Sequence, residues 1–175
     1  MTMYQLFKAA LKEPKKQAAA RVLPIGKVLK FVFLFIAILT AAAFIGLVGG
    51  LSRAGSGMEG YAEFTSGIGW LLYPFALFML FVTTTVYHFA KISIFALFGL
   101  GFLKARRRKG EYRHVWRTAS LAVTGPTLLS VLLDLAGFGF WASAAMVLLT
   151  LWLLWQDASF YPKMPPGPPA SSPVR

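Results

Sequence analysis

Residues 31–51, FVFLFIAILTAAAFIGLVGGL, run for 21 positions without a charged side chain. A helix that crosses a bilayer needs about 20 consecutive, mainly apolar residues. This run therefore has the right length for lipid and is longer than most soluble helices can bury. Two further stretches repeat the pattern. Residues 67–103 are 37 positions with one formal charge, Lys91, and residues 118–156 are 39 positions with one, Asp134. The apolar residues come in blocks between charged segments, without a clear helical or strand period. An apolar fraction of 57% and a mean hydropathy of +0.64 exceed what a soluble domain of this size carries. The expected fold is all-α, a polytopic bundle of transmembrane helices.

The chain has 175 residues, enough for one compact domain. Its 18 basic residues against 6 acidic ones leave a net charge of +12. Such a charge suits nucleic acid or an anionic membrane surface. The basic clusters lie directly beside apolar spans, so the membrane is the expected partner and nucleic acid is not. There is no cysteine, which excludes disulfides, thiolate nucleophiles and thiolate-bound metals. The first apolar block is too long for a signal peptide and reads as a retained first span that doubles as a signal anchor.

Residues 1–30 read as a basic, partly amphipathic lead. Tyr4, Phe7 and Leu11 fall on one helical stripe, flanked by Lys8, Lys12, Lys15 and Lys16. Such a helix can lie in the plane of the interface, and Pro14 is expected to end it. Pro24 and Gly26 are expected to break the chain before the first span. Ala41, Ala42, Ala43, Gly46, Gly49 and Gly50 give the outer half of that span a small-residue face, which permits close helix approach. Residues 52–66 read as a Gly/Ser loop. Residues 139–156 form the last span, with Trp152 and Trp155 as anchors after a tight turn at Gly137–Gly139. Residues 157–175 read as a flexible Pro-rich tail.

The difficult stretch is 67–103. As one helix it would extend about 55 Å, against a hydrocarbon core about 30 Å thick. Basic residues decide between one and two crossings. Seven lie before the first span and seven in 104–117, KARRRKGEYRHVWR. A single crossing puts both clusters on one side. The reading is four spans, about 31–51, 69–103, 118–135 and 139–156, within a domain at 31–156. Both termini are then cytoplasmic. Five spans are the alternative.

The lead YQLFKAALKEPKK and the segment EYRHVWRTASLAVTGPTLLSVLLD resemble two patterns found together in an uncharacterised family of small membrane proteins from Gram-positive bacteria, the domain of unknown function DUF1189. Some of its members are named maltodextrin utilization protein. The resemblance covers most of the chain and departs from it at the short segment between the first two spans. It implies a multi-span protein of a bacterial cytoplasmic membrane, near a sugar transporter, and supplies no catalytic site. A more distant similarity is to the Yip-type membrane proteins.

Candidate chemistry is sparse. An ionisable group at membrane depth is a functional candidate, which singles out His88, Lys91 and Asp134. Lys91 lies about 32 Å along a helix begun near Trp70, where a lysine can snorkel to the interface. Asp134 falls near the outer interface, before the glycine turn. Thr124, Gly125 and Pro126 would kink a span, a device that also builds transporter sites. Lys104, Arg106, Arg107, Arg108, Lys109, Arg113 and Arg117 form a juxtamembrane basic cluster suited to anionic phospholipid headgroups or a partner protein. No metal-ligand set, nucleophile triad or phosphate loop is present in the sequence, so no cofactor and no enzyme activity are expected. The expected function is that of a non-catalytic accessory or scaffold protein, bound to a membrane-protein partner or to its own copies and associated with carbohydrate uptake. A small oligomeric transporter or channel subunit is the alternative, with a membrane-bound enzyme third.

Overall fold

The computed structural model describes residues 2–55 and 60–164. Its elements are α1 (Met3–Lys12), α2 (Pro14–Ala19), a 3-10 turn at Ala20–Val22, α3 (Ile25–Gly55), α4 (Tyr61–Ala105), α5 (Tyr112–Leu135) and α6 (Gly139–Ser159). Among the described residues, three helices are long and apolar enough to cross a membrane: α3 over Ile25–Arg53, α4 over Gly67–Ala105, and α6. The protein is all-α and fits a membrane protein. Residues 67–103 form one uninterrupted helix despite Pro74. The expected fourth span, 118–135, lies within α5, which is a continuous helix through Pro126 but does not reach that apolarity.

The chain divides into two compact units, Met1–Leu23 with Ile94–Arg175, and Pro24–Ser93. In the second unit α3 pairs with the first two-thirds of α4 in antiparallel sense. Phe33 meets Phe89 at 5.7 Å, and Phe44 meets Tyr73 edge-on at 6.4 Å. The buried face of α3 is Val28, Phe31, Val32, Phe35, Ile36 and Thr40, at helical spacing. No residue of α4 from Trp70 to Tyr87 is buried.

In the first unit α5 is the central helix, packed by α1, α2, the 3-10 turn and α6. Val115, Thr118 and every residue from Ala119 to Thr124 are buried. This explains its lower hydropathy. A helix covered by protein on all sides can carry Thr and Ser if they are hydrogen-bonded. Ser120 Oγ donates to Arg117 O at 2.8 Å, and Thr124 Oγ1 to Ser120 O at 2.8 Å.

Local signals explain most helix ends. Thr2 and Gln5 form a reciprocal capping box on α1. Pro14 does end α1, and it also opens α2, because a proline at the first helical position loses no hydrogen bond. Gly137 takes φ +88° after α5. Its N–H donates to Asp134 O, and that of Phe138 to Leu133 O, closing the helix end. Gly26 does not break the chain but lies inside α3. The segment 52–66 is helical on both flanks rather than a loop, with residues 56–59 outside the described residues. Hydropathy marks where lipid begins, whereas a helix propagates past that point at little expense once nucleated. Glu63 in the first turn of α4 also suits the helix dipole.

The stripe Tyr4–Phe7–Leu11 is not the packed face of α1. Leu6, Ala9 and Ala10 are buried, while Tyr4 is 78% and Leu11 52% exposed. The reason is close approach to α5: a Cβ at Gly125 would stand 2.7 Å from Ala10 O. Alanines and a glycine are small enough for that contact. Gly125→Ala is expected to destabilise the protein by about 1–3 kcal/mol through overpacking. Gly46→Ala has open space at its Cβ and is expected to be neutral or stabilising by up to about 1 kcal/mol. Thermal unfolding in detergent compares the two.

Candidate functional site

The seven residues of the basic cluster fall into two groups. Four are engaged. Arg106 lies over the Trp155 ring, 4.2 Å from its centroid. Arg108 Nη1 donates to Tyr161 O at 2.8 Å. Arg117 Nη1 donates to Arg21 O at 3.1 Å and Leu23 O at 2.9 Å. Arg113 pairs with Glu111 at 2.6 Å. These contacts tie the lead and the segment after α6 to the ends of α4 and α5. Lys104, Arg107 and Lys109 are exposed.

The backbone here is also fixed. Arg107 N–H donates to Lys104 O and Arg108 N–H to Leu103 O, the pattern that closes a helix with a left-handed residue. Arg107 occupies that position at φ 52°, where glycine carries no penalty. Beyond it, Lys109 N–H donates to Pro162 O and Met164 N–H to Arg107 O, with Arg108 and Lys163 forming an antiparallel bridge.

Around this strap sits a polar core that the sequence reading missed. Tyr161 is buried, although it falls in the segment read as tail. Its hydroxyl lies 2.7 Å from Thr118 Oγ1 and donates to His114 O at 3.2 Å. Arg21 stacks over its ring at 4.9 Å and donates to Phe160 O at 2.8 Å. Burial pushes the Tyr161 phenol up to about 12, with the Asp157 carboxylate adding to the effect and Thr118 and Arg21 opposing it. Asp157 is itself 1% exposed, and neither carboxylate oxygen has a hydrogen-bond partner. Asp134 had been read as the only acid in a span. Asp157 lies inside α6 and shares a buried face with Thr150, Leu154 and Ala158, a spacing visible in the sequence once the helix is known to reach Ser159.

Of the intramembrane candidates, His88 and Lys91 lie one turn apart on α4. His88 is buried beside Phe35, ring centroids 5.3 Å apart, and its Nε2 has no hydrogen-bond partner. Lys91 is half-buried. Asp134 is exposed at the end of α5, in the other unit. Pro126 is buried and Gly125 half-buried. Both border a cavity of about 530 Å³ between the lead, α5 and α6, whose walls include Leu129, Leu132, Trp152 and Gln17.

A family model described as "Protein of unknown function (DUF1189)" matches residues 57–155. The chain belongs to this family. The DUF1189 match takes in α4, α5 and most of α6, and therefore all the sequence-derived candidate residues. Arg21, Asp157 and Tyr161 lie outside it. Comparison with the curated proteins and with the solved structures finds no match.

An arginine at a left-handed position costs about 1 kcal/mol relative to glycine. Arg107→Gly is therefore expected to raise thermal stability by about that amount. It is also expected to weaken retention of phosphatidylglycerol by the detergent-solubilised protein, measured by native mass spectrometry, by about fivefold for the lost charge. Unchanged retention would show that the charge at 107 does not contribute.

Proposed function

We propose that this DUF1189 protein is a non-catalytic scaffold of a bacterial cytoplasmic membrane that binds a partner membrane protein through the α3–α4 pair. The observation that carries the reading is the uncovered face of that pair. Leu71, Phe75, Phe78 and Val82 recur at spacings of four, three and four, and each is between 41% and 59% exposed. That spacing suits a helix–helix seam. On α3, Gly46, Gly49 and Gly50 have nothing within contact range of a Cβ. Small residues in a span permit a second helix to approach closely. Between the two helices, Ala37, Thr40, Pro74 and Phe78 border a cavity of about 440 Å³, and the buried Thr40 hydroxyl has no hydrogen-bond partner.

In this reading α5 crosses beside α6 with its polar side chains turned to protein, which makes four crossings and leaves both termini cytoplasmic. The exposed cations of the 104–117 segment then face anionic headgroups on the inner surface. The names of some family members motivate a carbohydrate transporter as the partner.

The absence of native cysteine makes the test direct. Single cysteines at Gly46, Phe78 and, as a buried control, Phe35 are cross-linked in native membranes, and the products are identified by mass spectrometry. The expected result is one membrane protein captured at Gly46 and Phe78 but not at Phe35. Capture of this chain alone would replace the partner with a homo-oligomer, and no protein adduct at either position would overturn the scaffold reading.

His88 motivates a second reading as an oligomeric transporter or channel subunit, because a buried imidazole nitrogen without a partner is a candidate ligand contact. That reading expects a cation or proton flux in proteoliposomes that His88→Leu reduces at least tenfold. Equal flux in protein-free liposomes would dismiss it.

A further inference from the structure

A cavity of about 220 Å³ lies at the start of α5, bordered by Arg21, Lys109, Gly110, Glu111, His114 and Tyr161. We propose that it is a binding site for a phosphate group. Three observations converge on that chemistry. First, Arg21, Lys109 and His114 border the cavity from three separate segments, and the Arg21 guanidinium is held by its bond to Phe160 O and its stacking on Tyr161. Arginine and lysine are the side chains that suit phosphate oxygens. The carboxylate in the lining, Glu111, is paired with Arg113, so the local balance stays cationic.

Second, the cavity sits at the N-terminal end of a 24-residue helix whose N-cap, Glu111, makes no side-chain cap. The His114 N–H donates to Glu111 O, so the backbone contribution here is the helix dipole, which favours negative charge at this end. Third, the backbone at Gly110 is drawn in too tightly for a side chain. A Cβ would lie 2.5 Å from Leu103 Cδ1 and 3.1 Å from two ring carbons of Tyr161. The packing of Leu103 and Tyr161 thereby sets the position of the Lys109–Glu111 backbone.

An occupant would link the 3-10 turn of the lead to the start of α5, reinforcing the Arg117 bonds to Arg21 O and Leu23 O. The phosphate can come from a phospholipid headgroup or from a soluble phosphate. The assignment is independent of the α3–α4 partner surface, so loss of cross-linking at Gly46 and Phe78 would leave it standing, and the reverse also holds.

The test uses full-length protein in dodecyl maltoside micelles, which carry no phosphate. One arm adds phosphatidylglycerol, and the other titrates inorganic phosphate. Thermal stability and native mass spectrometry are the readouts. Arg21 also holds Phe160, so its loss would disturb the fold. Lys109→Gln and His114→Leu therefore carry the test, with the exposed Lys104→Gln as control. Lipid retention weakened about fivefold by Lys109→Gln, weakened also by His114→Leu and unchanged by Lys104→Gln, supports the site with a lipid occupant. The same variant pattern for inorganic phosphate supports it with a soluble occupant. Equal weakening by Lys104→Gln, or no stabilisation by either phosphate source, overturns it.

Discussion

The interior of a bilayer offers no hydrogen-bond partner, so each backbone polar group must be satisfied within its own segment or by packed protein. This constraint shapes the whole chain. It explains why α3, α4 and α6 are long, continuous helices, and why polar side chains within helices return their hydrogens to the preceding turn. Ser52 Oγ donates to Val48 O, Thr85 Oγ1 to Phe81 O and Thr150 Oγ1 to Met146 O. It is relaxed at the two interior prolines, Pro74 and Pro126, each of which removes one rung of the helix ladder. Both border cavities.

The same constraint separates α5 from the other long helices. It meets protein rather than lipid along much of its length, and its composition follows from that. Small residues such as Ala119, Ala122 and Gly125 let the lead and α6 approach, and its hydroxyls bond locally. The lead is thus part of the packed unit and does more than carry positive charge. Its own ion pair supports this local order: Lys16, hydrogen-bonded to Glu13, holds that carboxyl below its usual range, with Lys8 contributing at longer reach.

Legibility varied with the kind of force involved. The four long helices were readable because apolar runs of span length and glycine or proline stops are local signals. Charge distribution resolved 67–103 as a single helix, in agreement with the structure. The face of α1 that packs on protein was not legible in the sequence, because the partner helix selects small residues and nothing near α1 announces Gly125. Asp157 and Tyr161 were missed for a related reason: a Pro-rich composition further along suggested that packing had already ended.

The basic cluster shows the same divide. Its position beside the spans and its excess charge are visible in the sequence, because any ionised side chain is costly at the centre of the hydrocarbon. Which arginines are consumed by carbonyls and rings, and which remain exposed, depends on where Trp155, Leu23 and Tyr161 come to rest. The sequence by itself determined the solvent and the helical class, since these rest on local hydropathy and backbone satisfaction. Only the tertiary structure decided the role of α5, the docking of the lead and the grouping of Arg21, Lys109 and His114. These rest on contacts between segments that are distant in the chain, which no local pattern encodes.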